Sequence, residues 1–413
     1  MAAHHTHPVL AVDTHSATSH PYWHEIRTLG AHPHRRSYHS AVGWNNFLII
    51  CGGQDLREGM VPGHWVFSFN ADTPELDTWE EMQVTATSPP PICRHSAVVD
   101  ADQMYLFGGS DNSTESDNTY ILNLKTKSWT IKRAEASGLP PPIDNHSAVV
   151  HNHEMVVFGG FIGGSRCNQV FTLNLPSLVW SAPATSGTAP SPRSGHTAMV
   201  YNSTMIVYGG CNDDGAKLND VWKLNLPSYM WEKMALQGQA PEGRSGHSVC
   251  LYRSIMIVFG GMKDLTKETN EMYGLQLDSC EWSLIQEERK IEDPVSAVQL
   301  EEYKKSRSPF HKNTVPAHSP TSLSPPAHKT KHESPVIPGD ESPNARKKRP
   351  THLYEGPPSP LLGRIVGRAP YPRDGHSAVL LQDKMFIFGG DRYQMPFNDL
   401  YVFAVNDHSI RGR

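Results

Sequence analysis

The chain has 413 residues, a formal net charge of −5, 19% charged residues, 32 Gly and 33 Pro. So modest a charge points globally to neither a nucleic-acid partner nor a membrane surface, and no run of eighteen apolar residues offers a membrane span. Six cysteines without a C-x-x-C pair or metal-ligand spacing suggest neither a disulfide framework nor a zinc site, so no metal and no cofactor is expected.

Residues 1–20 carry His4, His5, His7, His15 and His20 at no fixed spacing, which reads as a disordered polar tail rather than a metal site. They also lack the apolar core of a signal peptide. With Cys51 and Cys250 placed inside expected strands, free buried thiols suit a reducing compartment, and a cytoplasmic location is expected. Tyr22–Ile26 then reads as a single strand around Trp23.

From His39 onward the chain repeats itself. A His followed by Ser or Thr, with a Gly-Gly pair whose first glycine falls thirteen residues later, occurs at His39/Gly52, His95/Gly108, His146/Gly159, His196/Gly209, His247/Gly260 and His376/Gly389. A period near fifty residues signals units that bury a core only by stacking. In the fourth copy, His196–Val200 and Met205–Tyr208 form a hairpin, and Gly209-Gly210 ends its second strand. A third strand spans Asp220–Leu226, and a fourth centres on Trp231. Each third strand carries an aromatic (Trp65, Tyr120, Phe171, Trp222, Tyr273, Tyr401), and Trp79, Trp129, Trp180, Trp231 and Trp282 follow on the fourth. Rings of this size, recurring once per unit, fill the wedge between adjacent sheets, about 150–250 Å² buried by each.

These His-Ser, Gly-Gly, aromatic and Trp landmarks resemble the kelch-repeat family of β-propellers, over about residues 20–290 and 366–407. The expected fold is all-β, a six-bladed kelch β-propeller closed by an N-terminal strand, with a long disordered insertion between blades five and six. Closure follows from spacing: Trp23 precedes His39 by sixteen residues, as each blade's Trp precedes the next His by sixteen or seventeen, while the sixth copy ends after Val405 without a Trp. The first strand should therefore complete the sixth blade and remove two exposed sheet edges. The domains expected are a tail over 1–20, blades one to five with the closing strand over 21–286, the insertion over 287–367, blade six over 368–407 and a tail over 408–413.

The insertion is rich in Pro, Lys and His and poor in aliphatic residues, too little to offset its ordering entropy. It carries Ser-Pro at Ser308, Ser319, Ser324, Ser334, Ser342 and Ser359, candidate phosphosites for proline-directed kinases. The run Arg346, Lys347, Lys348, Arg349 is a candidate nuclear-import signal, which would add the nucleus as a second location.

Three groups of residues invite a chemical reading. The six His begin the first strand of each unit, where a repeated structural hydrogen bond near the central channel explains them better than a metal ring. Arg36, Arg193, Arg244 and Arg373 stand three before their His; they would either bring cations to the channel mouth, gripping carboxylate or phosphate, or bridge adjacent blades. The loops after Gly-Gly open on one face, and Arg57, Phe161, Arg166, Met262, Lys263, Arg392, Tyr393 and Phe397 there have the aromatic, Met and Arg composition of a protein-binding surface. The resemblance implies a non-enzymatic adaptor with a protein partner, similar to kelch adaptors, small-GTPase effectors and leucine-zipper-like regulators; the BTB domain usual in ligase adaptors is absent. The alternative it implies is a kelch-type enzyme or small-molecule-binding protein working at the channel mouth. No Glu begins the Glu-x-x-x-Asp-x-x-x-His pattern of the iron-dependent type, and the basic insertion lacks the aromatic interleaving of a nucleic-acid binder, so neither an enzyme nor nucleic-acid binding is the expectation.

Overall fold

In the first repeat, β-branched and aromatic runs separated by tight turns form four antiparallel strands, Ser40–Trp44, Phe47–Cys51, His64–Ser68 and Thr78–Met82, hydrogen-bonded in that order. The same meander recurs with inner strands Ser96–Asp100, Ser147–His151, Thr197–Tyr201, Ser248–Tyr252 and Ser377–Leu381, and these six strands neighbour one another in a closed ring. The computed structural model describes residues 23–28, 30–70, 77–83, 87–111, 113–133, 140–288, 363–366 and 369–405. These fall in one compact unit, Met1–Asp293 with Leu362–Arg413; the second unit, Pro294–Leu361, lies outside the described residues, as do the His-rich tail, the turn at 71–76, the six Ser-Pro sites and the basic tetrad. No helix occurs among the described residues, and none is long and apolar enough to cross a membrane.

Closure of the ring is by the first strand. Trp23–Arg27 pairs antiparallel with Leu400–Ala404, Trp23 opposite Phe403 and Ile26 opposite Leu400, and so supplies the fourth strand of blade 6. Trp23 is buried between Phe259 and Phe403, with ring centroids 5.3 and 5.0 Å away. Its Nε1 donates to Gln286 Oε1 at 2.7 Å, which stitches blade 6 to blade 5.

The core lies between blades. Six buried clusters each combine residues of two adjacent sheets. Their common element is a fourth-strand Trp laid against the aromatic that precedes Gly-Gly in the blade before it: Trp180 on Phe107, Trp231 on Phe158, Trp282 on Tyr208 and Trp79 on Phe388, at 4.6 to 5.4 Å between centroids. Blade 1 has Cys51 at that place, and His64 of its third strand fills the room instead, 5.0 Å from Trp129. All six cysteines are free thiols; burial pushes Cys51 and Cys250 up to about 12 and Cys93 up to about 11.

Three blades exceed the expected four strands. Ser186–Gly187 pairs parallel with Met230–Lys233, and Gln237–Gly238 with Glu281–Gln286, so the link leaving one blade covers the edge of the next. On blade 6 the covering strand is Gly363–Val366, antiparallel to Trp23–Arg27. The last residues of the span assigned above to a disordered insertion thus belong to the sheet.

Candidate functional site

The inner strands start at one face, where the channel narrows to a mouth. Each buried His there reaches the preceding blade, and its Nε2 meets the hydroxyl that follows the preceding His: His39 with Ser377, His95 with Ser40, His146 with Ser96, His196 with Ser147, His247 with Thr197 and His376 with Ser248, all at 2.7 to 2.9 Å. His196 Nε2 is also 3.1 Å from the carbonyl of Phe158, which can only accept, so that nitrogen carries the proton. The repeated Ser or Thr of the sequence motif is therefore the partner of the next blade's His. Burial pushes His95, His146, His196 and His376 down to about 3, and His39 and His247 well down, so the ring is neutral.

Above the imidazoles runs a second closed ring, of backbone. The amides of Tyr38, Arg94, Asn145, Gly195, Gly246 and Gly375 each donate to the carbonyl of the equivalent residue one blade back, at 2.7 to 3.1 Å. Every member needs φ near +60°, which glycine adopts freely, yet blades 1 to 3 place Tyr38, Arg94 and Asn145 there at φ 55°, 58° and 55°. Together with the six His these residues enclose a cavity of about 120 Å³. The Tyr38 hydroxyl donates to Asp374 Oδ2 at 2.6 Å, and the Arg94 guanidinium lies 5.4 Å from the Tyr38 ring centre and 3.9 Å from Asp144. Burial pushes Asp144 up to about 6 despite Arg94, with Glu115 adding to the rise.

The four repeated arginines are placed away from the mouth, in the walls. Arg36, Arg193, Arg244 and Arg373 are each 0% exposed. Arg193 holds the Gly209 carbonyl at 3.0 Å and grips Asp220 with both terminal nitrogens at 2.7 and 3.0 Å; Arg373 does the same with Gly389 and Asp399, while Arg244 gives one terminal nitrogen to the Gly260 carbonyl and the other to Glu271, at 3.0 and 2.9 Å. These pairs lie within one blade, so they neither rim the channel nor bridge blades. A one-dimensional offset could not show it, but the exceptions fit: blades 2 and 3 have Ile92 and Ile143 in place of Arg, and their residues equivalent to Asp220 are the neutral Asn118 and Gln169. Arg36 donates to carbonyls instead, of His34, Gly52, Pro62 and Gly63, and burial pulls it down to about 10.

On the loop face a backbone bridge in each blade joins the residue two before His to the residue after Gly-Gly, as in Ser37–Gln54, Asp144–Phe161 and Asp374–Asp391. This holds the loops to the rigid mouth. Arg166 stacks on Phe161 at 4.7 Å and reaches Ser194 Oγ at 3.0 Å. Arg392 lies over Tyr393 and Tyr371, at 4.9 and 6.0 Å. Arg57 is half exposed beside Asp55, and Met262 is half-buried, bridged to Ser245. Two expected contact residues are committed elsewhere. Lys263, its side chain 6% exposed, donates to Glu271 at 2.6 Å and so completes the network around Arg244, while Phe397 covers Arg373 at 4.3 Å and stacks on Tyr371. Sequence reasoning missed Tyr38, Asp374 and Asp391 at the mouth, and Leu265, which is 70% exposed on its loop. The signal available was the residue before each His, glycine in three copies and bulky in the others. Among the described residues no group of three or more His, Cys, Asp or Glu is arranged to hold a metal ion.

The description "KLHDC2/KLHL20/DRC7 Kelch-repeats domain" matches residues 4–138 and 116–305. Among characterised proteins, the chain is 27% identical over 266 residues to leucine-zipper-like transcriptional regulator 1 of Pongo abelii, covering 62% of this chain and 31% of that protein. It is 33% identical over 280 residues to the Drosophila melanogaster homolog, covering 64% and 28%. Kelch domain-containing protein 2 of Bos taurus is 25% identical over 283 residues, covering 60% and 69%. The matched region thus spans about a third of the length of the leucine-zipper-like relatives.

Proposed function

The chain belongs to the kelch-repeat family, and we propose that it acts as a non-enzymatic adaptor that holds a protein partner on the loop face of its propeller. One observation carries this reading. The repeated polar groups that the sequence offered for chemistry, six imidazoles at the mouth and four guanidiniums in the walls, are consumed by bonds that close the ring and stiffen the blades. The side chains left at the surface of that face are of the kind that anchor protein interfaces: Phe161 with Arg166, Tyr393 with Arg392, Arg57, Leu56 at 47% and Leu265 at 70% exposure. Loops mounted on a rigid scaffold are the usual place for recognition.

The test is quantitative capture from cell lysate by the full chain, by a Phe161→Ala/Arg166→Ala/Arg392→Ala/Tyr393→Ala variant, and by a Val179→Ala/Met230→Ala variant altered on exposed outer strands. A partner kept by the third and lost by the second supports the reading; identical captures by all three refute it. Two further proposals concern the insertion. Phosphorylation at its Ser-Pro sites would modulate binding, checked by mass spectrometry and by alanine variants at Ser308, Ser319, Ser324, Ser334, Ser342 and Ser359. Residues Arg346 to Arg349 would carry the otherwise cytoplasmic chain into the nucleus, checked by imaging a Lys347→Ala/Lys348→Ala variant.

A further inference from the structure

One sector of the loop face is built against its own electrostatics. Asp55, Glu268, Asp374 and Asp391, from blades 1, 5 and 6, are 3 to 5% exposed. Asp374 and Asp391 face each other across the blade-6 bridge, exchanging amide-to-carbonyl bonds of 3.0 and 2.8 Å. Like charges directly opposite on paired strands repel, and no other blade puts two carboxylates on this bridge. Burial and then Asp374 push Asp391 up to about 7, with Glu268 and Asp55 adding to it; burial also pushes Glu268 up to about 7.

Local polar groups meet these carboxylates. Asp55 takes the Arg57 amide at 2.9 Å, Asp374 takes the Tyr38 hydroxyl, Arg392 acts on Glu268, and Asp391 Oδ1 takes the Gln394 amide at 3.0 Å. Asp391 Oδ2 is buried with no hydrogen-bond partner. The hairpin carrying Asp391 is strained as well: its two-residue turn is Tyr393–Gln394 at φ 53° and 63°, where the equivalent hairpin of blade 3 uses Gly163–Gly164. Leu265 and Leu56, exposed on the flanking loops of blades 5 and 1, give this sector an apolar rim.

We propose that the sector spanning blades 5, 6 and 1 recognises a basic side chain, a lysine or arginine flanked by apolar residues, on the protein partner. This rests on the loop face being the binding face. A cation donating to Asp391 would relieve the repulsion that the free protein carries, and the apolar rim would take the neighbouring side chains. A metal ion does not fit, because among the described residues these carboxylates form no metal-holding group.

The experiment selects random dodecapeptides displayed on phage against the full-length chain at pH 7.5. Synthetic winners are then titrated by fluorescence anisotropy against wild type, Asp391→Asn, Phe161→Ala/Arg166→Ala, and a control, Asp214→Asn, that removes charge from the blade-4 loop of the same face. The expected winners share a Lys or Arg beside an apolar residue, lose at least ten-fold in affinity with Asp391→Asn, and change less than two-fold with the control. Asp391→Asn is also expected to melt higher, by about 2–4 °C, since it removes a repelling charge; a lower melting temperature would make Asp391 structural and overturn the inference. Winners with no shared basic residue, or with affinity unchanged by Asp391→Asn, overturn it too. Winners that depend on Phe161 and Arg166 but not on Asp391 would leave loop-face binding standing and remove this inference alone. Winners indifferent to every loop-face substitution, or no winners at all, would remove both.

Discussion

The ring of imidazoles makes the fold sensitive to acid. Six His are at least 93% buried, with Nδ1 of each lacking any hydrogen-bond partner, so a second proton would be stranded in the wall. Their folded pKa values, about 3 or well down, lie below the unfolded value near 6.5. The unfolded chain therefore takes up protons first, and stability is lost as pH falls through 6.5 toward 3. At about 1.4 kcal/mol per group and pH unit, the six together cost about 8 kcal/mol between pH 7.5 and 5.5. Asp391 and Glu268, raised to about 7, and Asp144, raised to about 6, act the other way: folded, they bind protons before the unfolded chain does. Over the same interval they return about 4 kcal/mol, leaving a net loss of about 4 kcal/mol on a fold whose total stability is of order 5–15 kcal/mol. Urea unfolding followed by Trp fluorescence at pH 7.5, 6.5 and 5.5 measures it; with a slope of about 3 kcal/mol/M the midpoint falls by more than 1 M. A midpoint that stays level or rises toward pH 5.5 would refute the reasoning. Replacing one imidazole, as in His146→Gln, should reduce the pH slope by one proton, and an unchanged slope would show that some other group titrates.

Trp23→Ala should cost about 3–5 kcal/mol, because it empties the cluster between blades 5 and 6 and loosens the closing strand; calorimetry reads the fall in melting temperature, and a shift under 2 °C counts against closure by this strand. Arg193→Ile alone strands the Asp220 carboxylate and should cost about 3–5 kcal/mol. Arg193→Ile with Asp220→Asn copies the Ile–Asn arrangement of blade 2 and should recover more than half of that loss in a double-mutant cycle; simple additivity would show that the pair is not coupled. Deleting 289–361 should leave the melting temperature of the propeller within about 2 °C, whereas deleting 289–366 also strips the covering strand from Trp23–Arg27 and should lower it further. Equal melting temperatures for the two deletions would remove the role given to Gly363–Val366.

Much of this fold was legible because a ring imposes the same distances six times over. The His-to-Gly-Gly offset of thirteen residues is the length of one hairpin, and the Trp-to-His gap is one blade crossing, so Trp23 before His39 announced the closing strand. What could not be read is the direction in which a side chain turns. Arg193 was visible at its offset, but its carboxylate lies twenty-seven residues further on, and nothing local says that the guanidinium bends into its own blade. The covering strands Ser186–Gly187 and Gln237–Gly238 have no strand composition; they are strands only because the edge of Trp231 or Trp282 is beside them. The acidic sector was hidden for a similar reason. Asp374 and Asp391 are seventeen residues apart on separate segments, and Asp55 and Glu268 come from other blades.

A partner protein does not share the sixfold repeat of the propeller, so recognition has to come from residues that break it. The breaks are of two kinds. Some are repaired on the spot: Ile92 and Ile143 come with Asn118 and Gln169 where Arg comes with Asp or Glu, and Cys51 comes with His64 filling the place of a ring. Such paired departures keep the wall packed and neutral, and they need no ligand to explain them. Others are left open. Asp391 Oδ2 is buried opposite Asp374 with no hydrogen-bond partner, Tyr393–Gln394 keeps a turn that glycine would make at less strain, and Tyr38 and Arg94 hold positive φ where three other blades have glycine. Each of these costs stability in the free protein, offset only in part by such bonds as Tyr38 to Asp374. They cluster at the mouth and on its blade 6 side, which is why that part of the loop face, rather than the regular His and Arg positions, is where binding is expected to be found.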